Sequence, residues 1–335
     1  MGGPDFAHEF EEIRQFVGFD SGYVAVERTV GSDGQWASRV WFSEDGAEWR
    51  VLTNFDPESS VRALASNGRQ VVAFVVGLDY AVTAWQTADG LNWTTESIAD
   101  PFSTTPAAAW PSANGWHAAM IEEYEGCEGP YECFRGALWS SDDGLTWRRV
   151  GVIPGDPSMI AGGVVAPDGT IVVSSDNLLR SADGGEYWRR IRLPNECFSS
   201  YMPQLVSPTS ITDRVLIYGG RQRVCTSSPD LRDWHAVRLP TDSPLEPSRS
   251  WLVETPFGVF ATAQVDCSEA PCRSPIREQF LSTDGVTWSV LHGPSAELTG
   301  VPELAVADGP AGVIGLARVH YAPRAISVWR LVPTP

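Results

Sequence analysis

The chain has 335 residues, 43% of them hydrophobic and 14 of them Trp, enough apolar material for one large core or two ordinary ones. Its 42 Asp and Glu outnumber 24 basic residues, all of them Arg, for a net charge of −18. Such a balance repels phosphate backbones and anionic lipid, disfavouring nucleic-acid and membrane binding except through a local Arg cluster, and no apolar run approaches the roughly 18 residues that span a bilayer.

In chain order, the first 30 residues lack the charged-then-apolar pattern of a signal peptide, and the start, MGGPDFAHEF, reads as the trimmed or engineered end of a mature chain. Turn signals that each precede an apolar run then recur seven times: DSGYVAV, SNGRQVVAF, ANGWHAAM, PDGTIVVS, ITDRVLIY, PFGVFATA and GPAGVIGLA. Between them lie six acidic boxes, SEDGAEW, TADGLNW, SSDDGLTW, SADGGEYW, SSPDLRDW and STDGVTW, ending at Trp49, Trp93, Trp147, Trp188, Trp234 and Trp288. These tryptophans are spaced by 44, 54, 41, 46 and 54 residues. Trp329 matches Trp41, Trp85 and Trp139, each eight residues before a box tryptophan, but no seventh box follows it.

Each unit reads as strand A, tight turn, strand B, variable loop, strand C, acidic box and strand D. The runs are short, β-branched and aromatic, bounded by Gly, Asp, Asn and Pro. Four strands per repeat of this length predict a β-propeller of seven blades, one all-β domain. The blades fall roughly at 10–54, 59–98, 105–152, 158–192, 202–238, 249–292 and 301–335. The last lacks a D strand, and residues 1–12 are expected to supply it and close the ring.

Six boxes cannot be six active sites. An Asp and a Ser ahead of Gly bind backbone amides in a C-to-D hairpin, Gly takes a positive φ, and Trp fills the space between blades. One box offers too few oxygens for calcium. The full pattern Ser-x-Asp-x-Gly-x-Thr-Trp, met by Ser140, Asp142, Gly144, Thr146 and Trp147, resembles the Asp-box of bacterial neuraminidase repeat proteins. Ser181, Asp183, Gly185 and Trp188 match with Tyr187 for Thr, the boxes at Trp49, Trp93 and Trp288 are a residue shorter, and Leu231 stands where Gly belongs. The resemblance implies a sialidase-like propeller, a fold shared by hydrolases and by binding and assembly proteins. The Phe/Tyr-Arg-Ile-Pro motif of catalytic sialidases has as its nearest match Ile13-Arg14-Gln15-Phe16, without the Pro or the order.

In such blades the B-to-C and D-to-A loops share the rim opposite the boxes, and because they vary in length a ligand is expected there. The six cysteines fall in the same loops as Cys127 with Cys133, Cys197 with Cys225 and Cys267 with Cys272. Disulfides, and with them an extracellular, periplasmic or cell-surface location, are favoured over zinc, since no His lies at ligand spacing. The longest insertion, residues 121–135, sets Glu122, Glu123, Glu125, Glu128 and Glu132 beside Tyr124 and Tyr131, either as a ligand platform or as a solvated acidic loop. Arg14, Arg62 and Arg249 stand near the starts of A strands and could converge on an anion, or remain separate surface arginines. Tyr201, Arg221, Arg223, His320, Tyr321 and Arg324 lie in nearby loops, and an exposed aromatic patch from Trp36, Tyr80, Tyr124, Tyr131, Phe198 and Tyr201 would mark a protein partner. No metal or cofactor is expected. Asp56, Asp100, Asp156 and Asp242 occupy D-to-A loops, but nothing selects a catalytic pair from them. The expectation is therefore a monomeric binding scaffold for a glycan or protein, the alternative an exo-acting glycoside hydrolase.

Overall fold

The computed structural model describes residues 13–331 apart from 31–33, 35, 57, 99–103, 125–132, 198–208, 212, 221–222, 241–246, 256–257, 266–275, 291–303 and 319–325. Seven antiparallel meanders follow one another. The first is β1 (Ile13–Phe19), β2 (Gly22–Val30), β3 (Trp36–Ser43) and β4 (Arg50–Val51); the second is β5 (Ser60–Ser66), β6 (Val71–Val76), β7 (Val82–Thr87) and β8 (Thr94–Ser97). The third is β9 (Thr104–Ser112), β10 (Gly115–Glu123), β11 (Phe134–Ser141) and β12 (Arg148–Ile153); the fourth is β13 (Gly162–Val165), β14 (Ile171–Ser174), β15 (Leu178–Ser181) and β16 (Arg189–Arg190). The fifth is β17 (Thr209–Ile211), β18 (Arg214–Gly220), β19 (Arg223–Ser227) and β20 (Trp234–Arg238); the sixth is β21 (Pro247–Thr255), β22 (Gly258–Val265), β23 (Ile276–Ser282) and β24 (Ser289–Val290). Among the described residues the last has β25 (Leu304–Gly309), β26 (Gly312–Arg318) and β27 (Ile326–Leu331).

The expectation of a seven-bladed ring is thereby corrected: six sheets have four strands, and among the described residues the final sheet has three. The closing strand expected from residues 1–12 lies outside the described residues.

Contacts divide the chain into two compact units, Met1–Arg149 with Val301–Pro335, and Val150–Gly300. In the first unit β1 packs against β25 and β5, and β5 against β9; in the second β13 neighbours β17 and β17 neighbours β21. First strands are thus innermost within each unit. The second strands β6 and β14 are buried along their whole length, as the apolar runs VVAFVV and IVVS require, because they are covered on both faces.

Core clusters form between consecutive sheets. Phe42 and Val40 meet Val71, Ala73 and Val75; Phe74 and Val72 meet Trp116, Ala118 and Met120; in the second unit Leu216 and Val224 meet Val259, Ala261 and Phe280. Box tryptophans sit in these seams as expected: Trp49 beside Ile314 and Leu316, Trp147 beside Phe74, Trp234 beside Val215 and Trp288 beside Val259.

Candidate functional site

The acidic boxes settle their own polar groups. In the first, Ser43 Oγ accepts from Gly46 N at 2.8 Å and Asp45 Oδ1 accepts from Ala47 and Glu48 N at 2.8 and 3.1 Å. The same pair of bonds returns at Thr87 and Asp89 and at Ser282 and Asp284. The third box corrects the sequence alignment: Ser141 and Asp143, not Ser140 and Asp142, bind the amides of Gly144, Leu145 and Thr146. Ser140 Oγ is instead buried without a partner. The common pattern is therefore Ser/Thr-x-Asp-Gly-x-x-Trp, and only the fourth box, with Gly184 and Gly185, carries an extra residue. Asn92 and the Asn92 and Leu91 amides hold the Asp89 carboxyl near 2, and the Thr287 and Val286 amides do the same for Asp284. At Asp143 partial burial pushes upward, but the Thr146 and Leu145 amides and two hydroxyls outweigh it and bring the group to about 2.

The boxes share one end of the sheets with the A-to-B turns, since Asp20 N bonds Gly68 O at 2.7 Å and Ser21 Oγ bonds Ala88 O at 2.8 Å. The other end is built differently. At the starts of β1 and β5 the pairing register skips one residue, Arg14 between Ile13 and Gln15 and Arg62 between Val61 and Ala63. Each arginine is thus the extra residue of a β-bulge, which bends the strand and re-aims the side chain out of the ladder. Gln15 Nε2 donates to Arg62 O at 2.8 Å and ties the two bulges together. Arg28, near the end of β2, lays its guanidinium 3.1 Å above the centre of the Trp36 ring at the start of β3. Arg14, Arg28, Arg62, Gln15, Trp36, Ser38 and Ser60 are among the walls of one open cavity of about 300 Å³. Among the described residues no carboxylate lines it. The neighbouring Glu27 points inward, fully buried, and receives Trp41 Nε1 at 2.9 Å and Arg39 Nη1 at 3.3 Å.

No family model matches the sequence, and no curated protein matches it. Among solved structures, YCF48 bound to D1 peptide shares 16% identity over 100% of this chain and 96% of that one, with a TM-score of 0.59. YCF48 from Cyanidioschyzon merolae shares 12% over 95% of each chain at 0.54, and the β-propeller domain of the Trilobed protease from Pyrococcus furiosus 9% over 96% and 94% at 0.54. The fold is a β-propeller.

On this propeller the predicted arginines separate. Arg14 and Arg62 meet in one cavity, joined by Arg28, which sequence reasoning missed. Arg249 is one position out of step: in β21 the bulge skips Ser248, and Arg249 pairs with Gln264 in the ladder, its side chain lying outside the described residues. Glu122, read as part of an acidic loop, is instead buried at 5% exposure and takes Arg149 Nε at 2.9 Å, Trp139 Nε1 at 3.0 Å and Arg135 Nε at 3.3 Å. Glu123 ends β10 in solvent and Tyr124 stacks near Arg135. Arg223 opens β19 opposite Arg238 rather than lying in a loop. Glu125, Tyr131, Phe198, Tyr201, Arg221, His320, Tyr321 and Arg324 lie outside the described residues, as do Cys127, Cys267 and Cys272.

Cys197 and Cys225 form the expected disulfide, their Cα atoms 5.9 Å apart. Its placement is corrected: Cys225 sits inside β19, and both residues belong to a hydrophobic core with Val215, Leu231 and Trp234, so the link crosses the core and does not stiffen a rim. Cys133 is also disulfide-bonded. Of the D-to-A carboxylates described, Asp56 binds the Glu58 amide and Asp156 the Ser158 amide, turn roles both. Among the described residues no cluster of His, Cys, Asp or Glu is placed to hold a metal, and no helix is long and apolar enough to cross a membrane.

Proposed function

We propose that this propeller is a non-catalytic protein-binding scaffold whose cavity at Arg14, Arg28, Arg62 and Trp36 takes the carboxylates of an acidic peptide segment. The observation that carries the reading is the pair of bulges that aims Arg14 and Arg62 into one cavity with Arg28, in a chain of net charge −18. Guanidinium groups bind carboxylates in a planar, bidentate manner and keep their charge when partly desolvated. A protein ligand is supported further by exposed large apolar side chains at the second-to-third-strand connections of the first three sheets: Trp36, Leu78, Tyr80, Tyr124 and Phe134. The peptide held by YCF48 is a precedent on a related fold.

Hydrolysis needs an acid and a second carboxylate on either side of a sugar. Among the described residues the cavity walls offer neither, so glycosidase chemistry is the weaker reading despite the sialidase-like turns. The buried disulfide favours an oxidising, extracytoplasmic compartment.

The test is fluorescence anisotropy with labelled acidic dodecapeptides, alongside a glycan array and aryl-glycoside hydrolysis. Acidic peptides should bind with strong salt dependence, and Arg62→Gln should weaken them about ten-fold at an unchanged melting temperature. Glycan binding or turnover with no peptide affinity would refute the proposal.

A further inference from the structure

The hairpin tip between β6 and β7, Gly77-Leu78-Asp79-Tyr80-Ala81, spends its polar groups on itself. Gly77 N bonds Ala81 O, Tyr80 N bonds Gly77 O, and Ala81 N bonds Asp79 Oδ1, each at 3.0 Å. Tyr80 nonetheless stands at φ 63°, a left-handed position where Gly or Asn is at ease and a bulky residue is strained. It gains nothing by burial: Tyr80 is 70% exposed and Leu78 is 60% exposed. A tip fixed from within, under backbone strain, holding two large apolar side chains in water, has the marks of a contact surface.

Its position says what it contacts. Ser60, a wall of the arginine cavity, pairs with Val76, the residue before Gly77, so the tip rises from the same sheet end as Arg62. We infer that Leu78 and Tyr80 anchor an apolar side chain of the acidic peptide, making the recognised element an acidic residue followed within a few positions by Leu or Phe. This rests on the arginine-cavity reading. Carboxylate capture supplies charge complementarity and on-rate, and the aromatic anchor supplies the dry contact that slows release.

Two sets of fluorescein-labelled dodecapeptides in a Gly/Ser background separate the claims: one carries two Asp alone, the other two Asp followed within four positions by Leu or Phe. On the full chain the second set should bind about ten-fold tighter, the size of one well-buried apolar contact. Tyr80→Asn should erase that gap, retain the acid-only affinity, and leave the melting temperature unchanged or up by about 2 °C as strain is relieved. Tyr80→Phe should keep the gap. Equal affinity of the two sets for the unaltered chain, or a gap that survives Tyr80→Asn, overturns the anchor and leaves the arginine cavity standing. A fall in melting temperature with Tyr80→Asn makes the residue structural and also overturns the anchor. If neither set binds, the arginine-cavity reading fails, and the anchor with it.

Discussion

Leu231 occupies, at φ 56°, the backbone position that Gly46, Gly90, Gly144, Gly185 and Gly285 hold in the sibling boxes. Two effects oppose there. Glycine would relieve about 1 kcal/mol of left-handed strain, whereas Leu231 is 2% exposed in a core with Trp234 and Val215, and truncating a buried leucine costs about 2–5 kcal/mol. Burial wins, so Leu231→Gly should destabilise the protein by about 2 kcal/mol in urea unfolding, the reverse of what the alignment of the boxes suggests. The same contrast explains what could be read of the cavity. Arg14 and Arg62 were legible by type and place in the repeat. Their bulges were not, because a bulge is a property of two strands' register, and this is why Arg249, similar in sequence, falls one position away from the skipped Ser248.

At the level of the element, the box hairpin was the most legible part of the chain, since six degenerate copies expose its period. The register of its third copy was misread because SSDDG offers two serines and two aspartates, and only hydrogen bonding distinguishes them. The boxes of the two units also close differently. The indoles of Trp49, Trp93 and Trp147 donate to the carbonyls of Gly46, Gly90 and Gly144 at 3.0–3.2 Å, while those of Trp188, Trp234 and Trp288 are buried without a partner. Acid should act on these turns in a defined window. The folded Asp143 carboxyl, at about 2, lies below its ordinary 3.8, so its contribution is complete above pH 3.8 and lost as pH falls towards 2. Asp143→Asn, which keeps the acceptor but not the charge, should lower the melting temperature by about 2 °C at pH 6 and by nothing measurable at pH 2.

At the scale of the whole molecule, the repeat made the propeller visible in the sequence, and the even number of cysteines announced the disulfides. The missing fourth strand of the last unit was equally visible, and among the described residues the final sheet has three strands. The position of the Cys197–Cys225 link was hidden, because a cysteine in a strand looks like one at a loop end until its register with Ala236 and Ile217 is fixed. The link closes a 28-residue segment, and replacing both cysteines with Ala should cost about 3 kcal/mol of stability in denaturant unfolding. Its burial has a temporal meaning as well. Cys197 and Cys225 are 3% and 0% exposed, sealed by Val215 and Trp234, so small thiols reach them only when that core opens. The sulfur pair therefore archives the redox conditions of the moment the sheet closed, and a chain carried afterwards into reducing surroundings would keep that record for as long as it stays folded.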